Sequence, residues 1–314
     1  MIFKKVLIAL SSFFVLINSH SNTLTTLNEK TGGLSSPMKE LLEILDISLN
    51  LSTSDTLKVL QGRYGRKPDE ERHQIKLDQD LESKKKSLWP LFKKLDMVDA
   101  VMPSKQNFDA IVILGATIER MQDRLIFLLK MIQDGKIKLN HKTRLFIAAG
   151  DRELFSYEDI SKSSFPFRAG WVSPAEAKKP KTEGEAAAFI VDQMIPDKGL
   201  RNRFKVLIAP KRYDKDQKKW VRPHTGNTIE ILLKDFKKST SATFLFISNN
   251  PYISYQDAVI TREFLDQSLG KKQVTTIGEK TSPKTTVSNI LDNVRNTLQR
   301  ELEVWDHLKN QKVV

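Results

Sequence analysis

From residue 108 onward the sequence predicts an α/β fold: a Rossmann-like, doubly wound, mainly parallel five-stranded sheet. Three observations predict it. Short apolar runs of five to seven residues recur along the chain, helical patterns separate them, and most runs end in a turn of small or polar residues. Strands that are apolar throughout are buried on both faces, as in a parallel sheet covered by helices. An N-terminal helical extension and a C-terminal helix complete the expected architecture.

The elements follow in order. Met1 to Lys5 carry two lysines, Val6 to Ile17 form a 12-residue, largely apolar run, and Asn18-Ser19-His20-Ser21 places small residues where a cut after Ser21 needs them. This is the three-part pattern of a secretory signal, and the run is short for a membrane span. Export to the periplasm or medium is the expectation, with an uncleaved N-terminal membrane anchor as the alternative. Residues 22–107 read as a mostly helical extension. Ser36-Pro37 opens one helix through Met38, Leu41, Leu42 and Leu45, a second runs from Ser54 or Asp55 to about Gly62, and Leu88 to Val101 are amphipathic. No strand is expected before about residue 108, and no chemistry is visible in the extension.

In the domain over 108–280, Asp109–Leu114, Arg144–Ala149, Phe204–Ala209, Ala242–Ser248 and Gln273–Ile277 read as strands. Helical patterns lie near 118–134, 182–194, 227–237 and 255–268. Residues 281–314 carry a closing helix, near 284–310, expected to pack on the domain.

Composition narrows the chemistry. The 314 residues include no cysteine and only five histidines, which excludes disulfides, a thiol nucleophile, iron–sulfur clusters, cysteine-ligated zinc and a lipoprotein anchor. There is no GxSxG elbow, no HExxH pair, no GxGxxG fingerprint and no phosphate-binding GxxxxGK[ST] loop. No apolar run after the signal is long enough to span a membrane. The formal charge is +13, and residues 22–107 contribute about +1 of it, so the excess lies in the α/β domain. Such a charge suits anionic ligands or surfaces, with general solubility as the plain alternative. No nucleic-acid motif accompanies it, so nucleic acid is not the expected partner.

In such sheets ligands bind beyond the carboxyl ends of the strands, so the residues after each strand are the candidates. Leu114-Gly115-Ala116-Thr117 follows the first strand, and there Gly115 lets the backbone approach a ligand at a helix N-terminus. Gly150-Asp151-Arg152-Glu153 follows the second: Arg152 suits a phosphate or carboxylate, while Asp151 or Glu153 suits acid–base work. The long connection 154–181, with Trp171 and three prolines, is a candidate lid, and Thr182 with Glu183 opens the next helix. Arg222, Asn227 and Thr228 lie at a further helix start, an anion cradle or simply a cap. Ser248, Tyr252 and Gln256 follow the fourth strand and suit a polar pocket wall. At each place the alternative is an ordinary turn, cap or local ion pair.

The ordered set Leu114-Gly115, Arg124 with Gly135 eleven residues later, Gly150, Thr182-Glu183, Asn227-Thr228 and Ser248 resembles the SanA/YdcF/ElyC-like domain-of-unknown-function family over about residues 108–280. The resemblance implies a Rossmann-like α/β domain of the bacterial envelope, and adenosyl-methionine binding is attributed to at least one branch. By position, it implies site roles for Gly115, Arg124, Gly150, Glu183 and Asn227-Thr228. Departures are Asp151 for a second glycine, Ile231 for a later asparagine, and Tyr252 and Gln256 roughly where a histidine and arginine are usual.

Two functions are carried forward. In the first, the chain is an exported envelope protein binding a small phosphate-bearing or nucleotide-like ligand or envelope precursor, with Asp151, Glu153 or Glu183 as acid or base if it is an enzyme. In the second, it is a non-catalytic binding or scaffold module that has lost the family histidine and docks an envelope protein through 22–107. The cofactor stays open: an exported protein would need adenosyl-methionine supplied outside the cytoplasm.

Overall fold

The computed structural model describes residues 24–67, 70–216, 218–234, 236, 241–267 and 274–311. The expected signal, 1–21, lies outside these residues. Among the described residues no helix is long and apolar enough to cross a membrane.

Five parallel strands form the central sheet: β1 (Ala110–Leu114), β2 (Arg144–Gly150), β3 (Phe204–Ala209), β6 (Phe244–Asn249) and β7 (Val274–Glu279), in the order β3-β2-β1-β6-β7. The chain thus winds outward from β1 in one direction, returns, and winds the other way, so the switch point lies between β1 and β6. Alternation along the strands divides the core. Ile111, Ile113, Ile147 and Ile247 pack beneath α5 (Ile118–Gln133) and α6 (Glu183–Met194). Val112, Phe146 and Phe246 meet α8 (Thr225–Lys234) and α9 (Ile253–Asp266) on the other side. With both faces covered, nearly every position of β1 and β6 must be apolar.

Two short strands, β4 (Arg212–Asp214) and β5 (Lys219–Val221), form an antiparallel hairpin outside this sheet. The sequence reading missed it: three-residue strands carry no period, and the turn has neither glycine nor proline. Helix α8 begins at Thr225, two residues before the expected start, because Asn227 serves from inside the helix by accepting the His224 N–H at 3.2 Å.

The extension holds α1 (Ser36–Ile44), α2 (Thr53–Tyr64), α3 (Gln79–Ser83) and α4 (Lys85–Lys94). Ser35 and Ser52 cap α1 and α2 through their side chains. Its apolar side does not rest mainly on the sheet. Met38, Leu42, Leu60, Leu88 and Phe92 pack with Val287, Ile290, Leu291, Val294 and Leu298 of α10 (Val287–Gln311), making a core of their own. Extension and closing helix therefore share one core, and the closing helix also lies against α9 of the α/β domain. The extension is also stitched to the sheet, where Val101 and Gly278 exchange backbone hydrogen bonds of 2.9 and 3.1 Å.

Two partly buried carboxyls on the helices of the α/β domain set a pH response. Burial, with Glu119 and Glu279 nearby, pushes Asp123 on α5 up to about 6. Burial, with Glu230 and Asp266, pushes Glu263 on α9 up to about 7. Between about pH 4 and 7 the folded state keeps protons that the unfolded chain has released, so both groups lower stability as pH rises through that window. Both are partly solvated, which reduces their joint effect to about 2 kcal/mol. Urea unfolding at pH 5 and pH 8 should show that loss, and Asp123→Asn with Glu263→Gln should flatten it. An unchanged slope in the double variant would refute the assignment.

Candidate functional site

A cleft of about 580 Å³ opens at the carboxyl edge of the sheet. Its floor is the end of β1 (Leu114-Gly115-Ala116-Thr117) with Ala148 and Gly150 of β2, and the starts of α5, α8 and α9 contribute to its walls. α5 and α9 begin just after β1 and β6, and α8 follows the β4–β5 hairpin, so their positive N-terminal ends gather at one place. The extension supplies Arg66, Glu71 and His73, and α10 supplies Asn289. The extension, in which the sequence showed no chemistry, thus borders the cleft.

Of the predicted residues, Gly115, Arg124, Gly150, Arg152, Glu183, Arg222, Thr228, Tyr252 and Gln256 line this cleft. Their roles differ from those expected. Arg152 is enclosed by partners. Its Nε donates to Glu183 at 2.9 Å, and its terminal nitrogens donate to both carboxylate oxygens of Glu158 at 2.7 and 3.2 Å and to the Glu153 carbonyl at 3.0 Å. Its guanidinium also lies 4.4 Å from the Phe155 ring centre. Burial opposes its charge, but Glu158 and Glu183 outweigh that and hold its pKa above the usual value. This arginine braces the cleft and is not a spare cation.

Glu183, at the first turn of α6, accepts the Gly150 N–H at 3.0 Å as well as Arg152. Burial pushes its carboxyl above the ordinary range, against the pull of Arg152 and the Gly150 N–H. The same carboxylate explains Gly115: a Cβ there would overlap it and stand 2.8 Å from the Ala148 carbonyl oxygen. The Thr182–Glu185 capping box fixes the helix start that holds Glu183 in place.

Four other candidates, Asp151, Glu153, Ser248 and Asn227, do not line the cleft, and Arg124 and Arg222 line it with their charges already engaged. Asp151 is not among the lining residues, and its N–H is tied to the Ala209 carbonyl at 2.7 Å. Glu153 turns outward to Lys211 at 3.1 Å, with 82% of its side chain exposed. Ser248 is buried beneath the floor, bonded to Gln256, and Asn227 is spent on the His224 N–H. Arg124 donates to the carbonyls of Leu114 and Gly115, at 2.7 and 3.1 Å, and to Asn249 at 2.9 Å, so it sets the shape of the turn after β1. Arg222 pairs with Glu71 of the extension at 2.7 Å.

The connection 154–181 meets the cleft through Phe155 and Tyr157, which stack at 5.4 Å with His73 edge-on to both. Trp171 packs on Phe167 instead. Glu158, from this connection, also accepts the N–H of Ile118 at 2.9 Å. It thereby caps α5, whose N-cap residue Thr117 makes no side-chain cap.

Arg120 was missed. It sits in the first turn of α5 with its guanidinium 4.6 Å from the Tyr252 ring centre. Among the described residues no carboxylate lies within ion-pair distance of it. A cation in a helix's first turn opposes the dipole, and that mismatch was the available signal. His224 also lines the cleft, and desolvation, then Arg300 and Arg212, lower its pKa against the pull of Glu230.

The chain matches no family model, no curated protein and no solved structure. Among the described residues no cluster of three or more His, Asp or Glu is arranged to hold a metal ion.

Proposed function

We propose that this chain is an envelope protein whose cleft binds a small phosphate-bearing or nucleotide-like anion. One observation carries the reading: Arg120, stacked on Tyr252 and without a carboxylate partner among the described residues, lines a cleft where α5, α8 and α9 begin. The guanidinium and the N-terminal ends of α8 and α9 together favour an oxyanion, while Tyr255 and Tyr157 line the same cleft and offer aromatic surface for a base or sugar. The motif order supports placing the chain with the SanA/YdcF/ElyC-like family, and the signal-like first 21 residues support export.

Binding without turnover is the form best supported. Of the expected acids and bases, Asp151 and Glu153 lie outside the cleft lining and Glu183 is occupied by Arg152 and Gly150. A catalytic reading rests on His224, the imidazole that lines the cleft and whose pKa its surroundings lower.

The test is thermal stabilisation of the full chain by pyrophosphate, adenosine diphosphate or glucose 1-phosphate, with product analysis of each mixture. At least one probe should raise the unfolding midpoint. Arg120→Ala should weaken it about tenfold or more, as for loss of a charge-assisted contact, without unfolding the chain. Stabilisation by none of the probes, or equal stabilisation of the variant, would overturn the reading. Turnover abolished by His224→Ala would establish the catalytic form.

A further inference from the structure

We propose that the β4–β5 hairpin is a membrane-docking finger that seats the mouth of the cleft on an anionic lipid surface. Its two faces are unlike. In the antiparallel register Tyr213 stands directly opposite Trp220, and Arg212 stands opposite Val221. Side chains of neighbouring positions point to opposite faces, so the aromatic pair occupies one face and Arg212 with Val221 the other. The second face is turned to the body: Arg212 pairs with Glu230 of α8, and Val221 lines the cleft. The aromatic face therefore points away. Tyr213 is 51% exposed and Trp220 67%, their rings packed edge to face at 5.6 Å.

Two large aromatics held together outside any core are costly in water and call for an apolar contact. The charge around them says of which kind. Residues 211–222 carry six basic side chains and two acidic ones, Asp214 and Asp216, and Lys215, Lys218 and Lys219 at the tip are exposed. Tryptophan and tyrosine settle at the headgroup level of bilayers, and lysines beside them meet lipid phosphates. The hairpin runs directly into Arg222, Pro223, His224 and Thr225 on the cleft rim, so a docked finger brings that rim to the lipid surface. The inference does not depend on what the cleft binds.

The full chain is mixed with phosphatidylcholine vesicles, with and without phosphatidylglycerol, and with the same lipids bearing brominated acyl chains. Brominated, phosphatidylglycerol-containing vesicles should quench tryptophan emission, and Trp220→Phe should remove that quenched component. Because the signal is read at Trp220, attachment through another segment does not imitate it. Tyr213→Ala with Trp220→Ala should weaken partitioning about tenfold or more. Lys215→Ser, Lys218→Ser and Lys219→Ser together should do so about as strongly, for anionic vesicles alone. Thermal midpoints should stay near that of the parent, since these side chains are exposed. Arg120→Ala should dock as the parent does, which separates this result from the anion test. No Trp220 quenching, or equal quenching by neutral vesicles, would overturn the proposal.

Discussion

Replacing Arg152 with alanine is expected to destabilise the chain by about 3–5 kcal/mol, the cost of stranding buried charge. The guanidinium is the shared counterion of Glu158 and Glu183, whose carboxylates lie 2.7 and 2.9 Å from it and are themselves almost enclosed. Without it, Glu183 keeps only the Gly150 N–H among these two contacts, while Glu158 keeps the N–H groups of Ile118 and Phe155. The Glu183 carboxyl, already pushed up by burial, would lose the cation that opposes that shift, and the turn after β2 would lose its brace. Lysine should rescue little, since one ammonium cannot reproduce the two-oxygen grip on Glu158 together with the bond to Glu183. Urea unfolding at pH 7 measures the loss. A change below about 1 kcal/mol would show that the network is ornamental and return Arg152 to the ligand.

Glu301→Ala is expected to cost about as much, by a different route. This carboxylate, 2% exposed on α10, accepts the backbone N–H groups of Thr25, Thr26 and Leu27 at 2.7, 2.9 and 3.2 Å. It also accepts the hydroxyls of Thr25 and Thr26, at 3.0 and 2.6 Å. Burial alone pushes its pKa up, and those donors oppose the shift. Alanine would leave several buried donors unmet, at about 1–3 kcal/mol for each one that water cannot reach. The segment around Thr25–Leu27 should come loose, and proteolysis between residues 24 and 35 should accelerate with the fall in stability. Glu301→Gln, which keeps one acceptor oxygen, should fall between the parent and alanine. Parent-like protease resistance in Glu301→Ala would refute the anchoring role.

The parallel sheet was legible to within a residue or two because most of its strands are buried on both sides. A run such as Ala110–Leu114 has no polar position to confuse the reading. The strand-edge rule likewise led to Gly115, Arg152, Glu183 and Tyr252, all of which line the cleft. What each side chain does there was not legible. Whether Arg152 serves a ligand or the fold depends on Glu158, a residue in an aperiodic connection with no local signature. The expected family histidine drew attention to Tyr252, yet its visible service is to stack on Arg120 one strand away. Arg66, Glu71 and His73 reach the cleft from a segment well before β1, and only the tertiary path brings them there.

That path has a consequence for the order of assembly. Leu42, Leu60 and Phe92 find their apolar neighbours Ile290, Val294 and Leu298 only when the last helix exists. The early part of the chain must therefore wait, its greasy side uncovered, while nearly two hundred intervening residues are made and the sheet takes shape. Closing so long a loop is slow but adds little to the final cost, since the entropy of closure grows only with the logarithm of length. A chain stopped short of Val287 would carry both an orphaned helical layer and a cleft missing Asn289 from its rim. Completion of α10 is thus the event that closes the helical layer over 36–94.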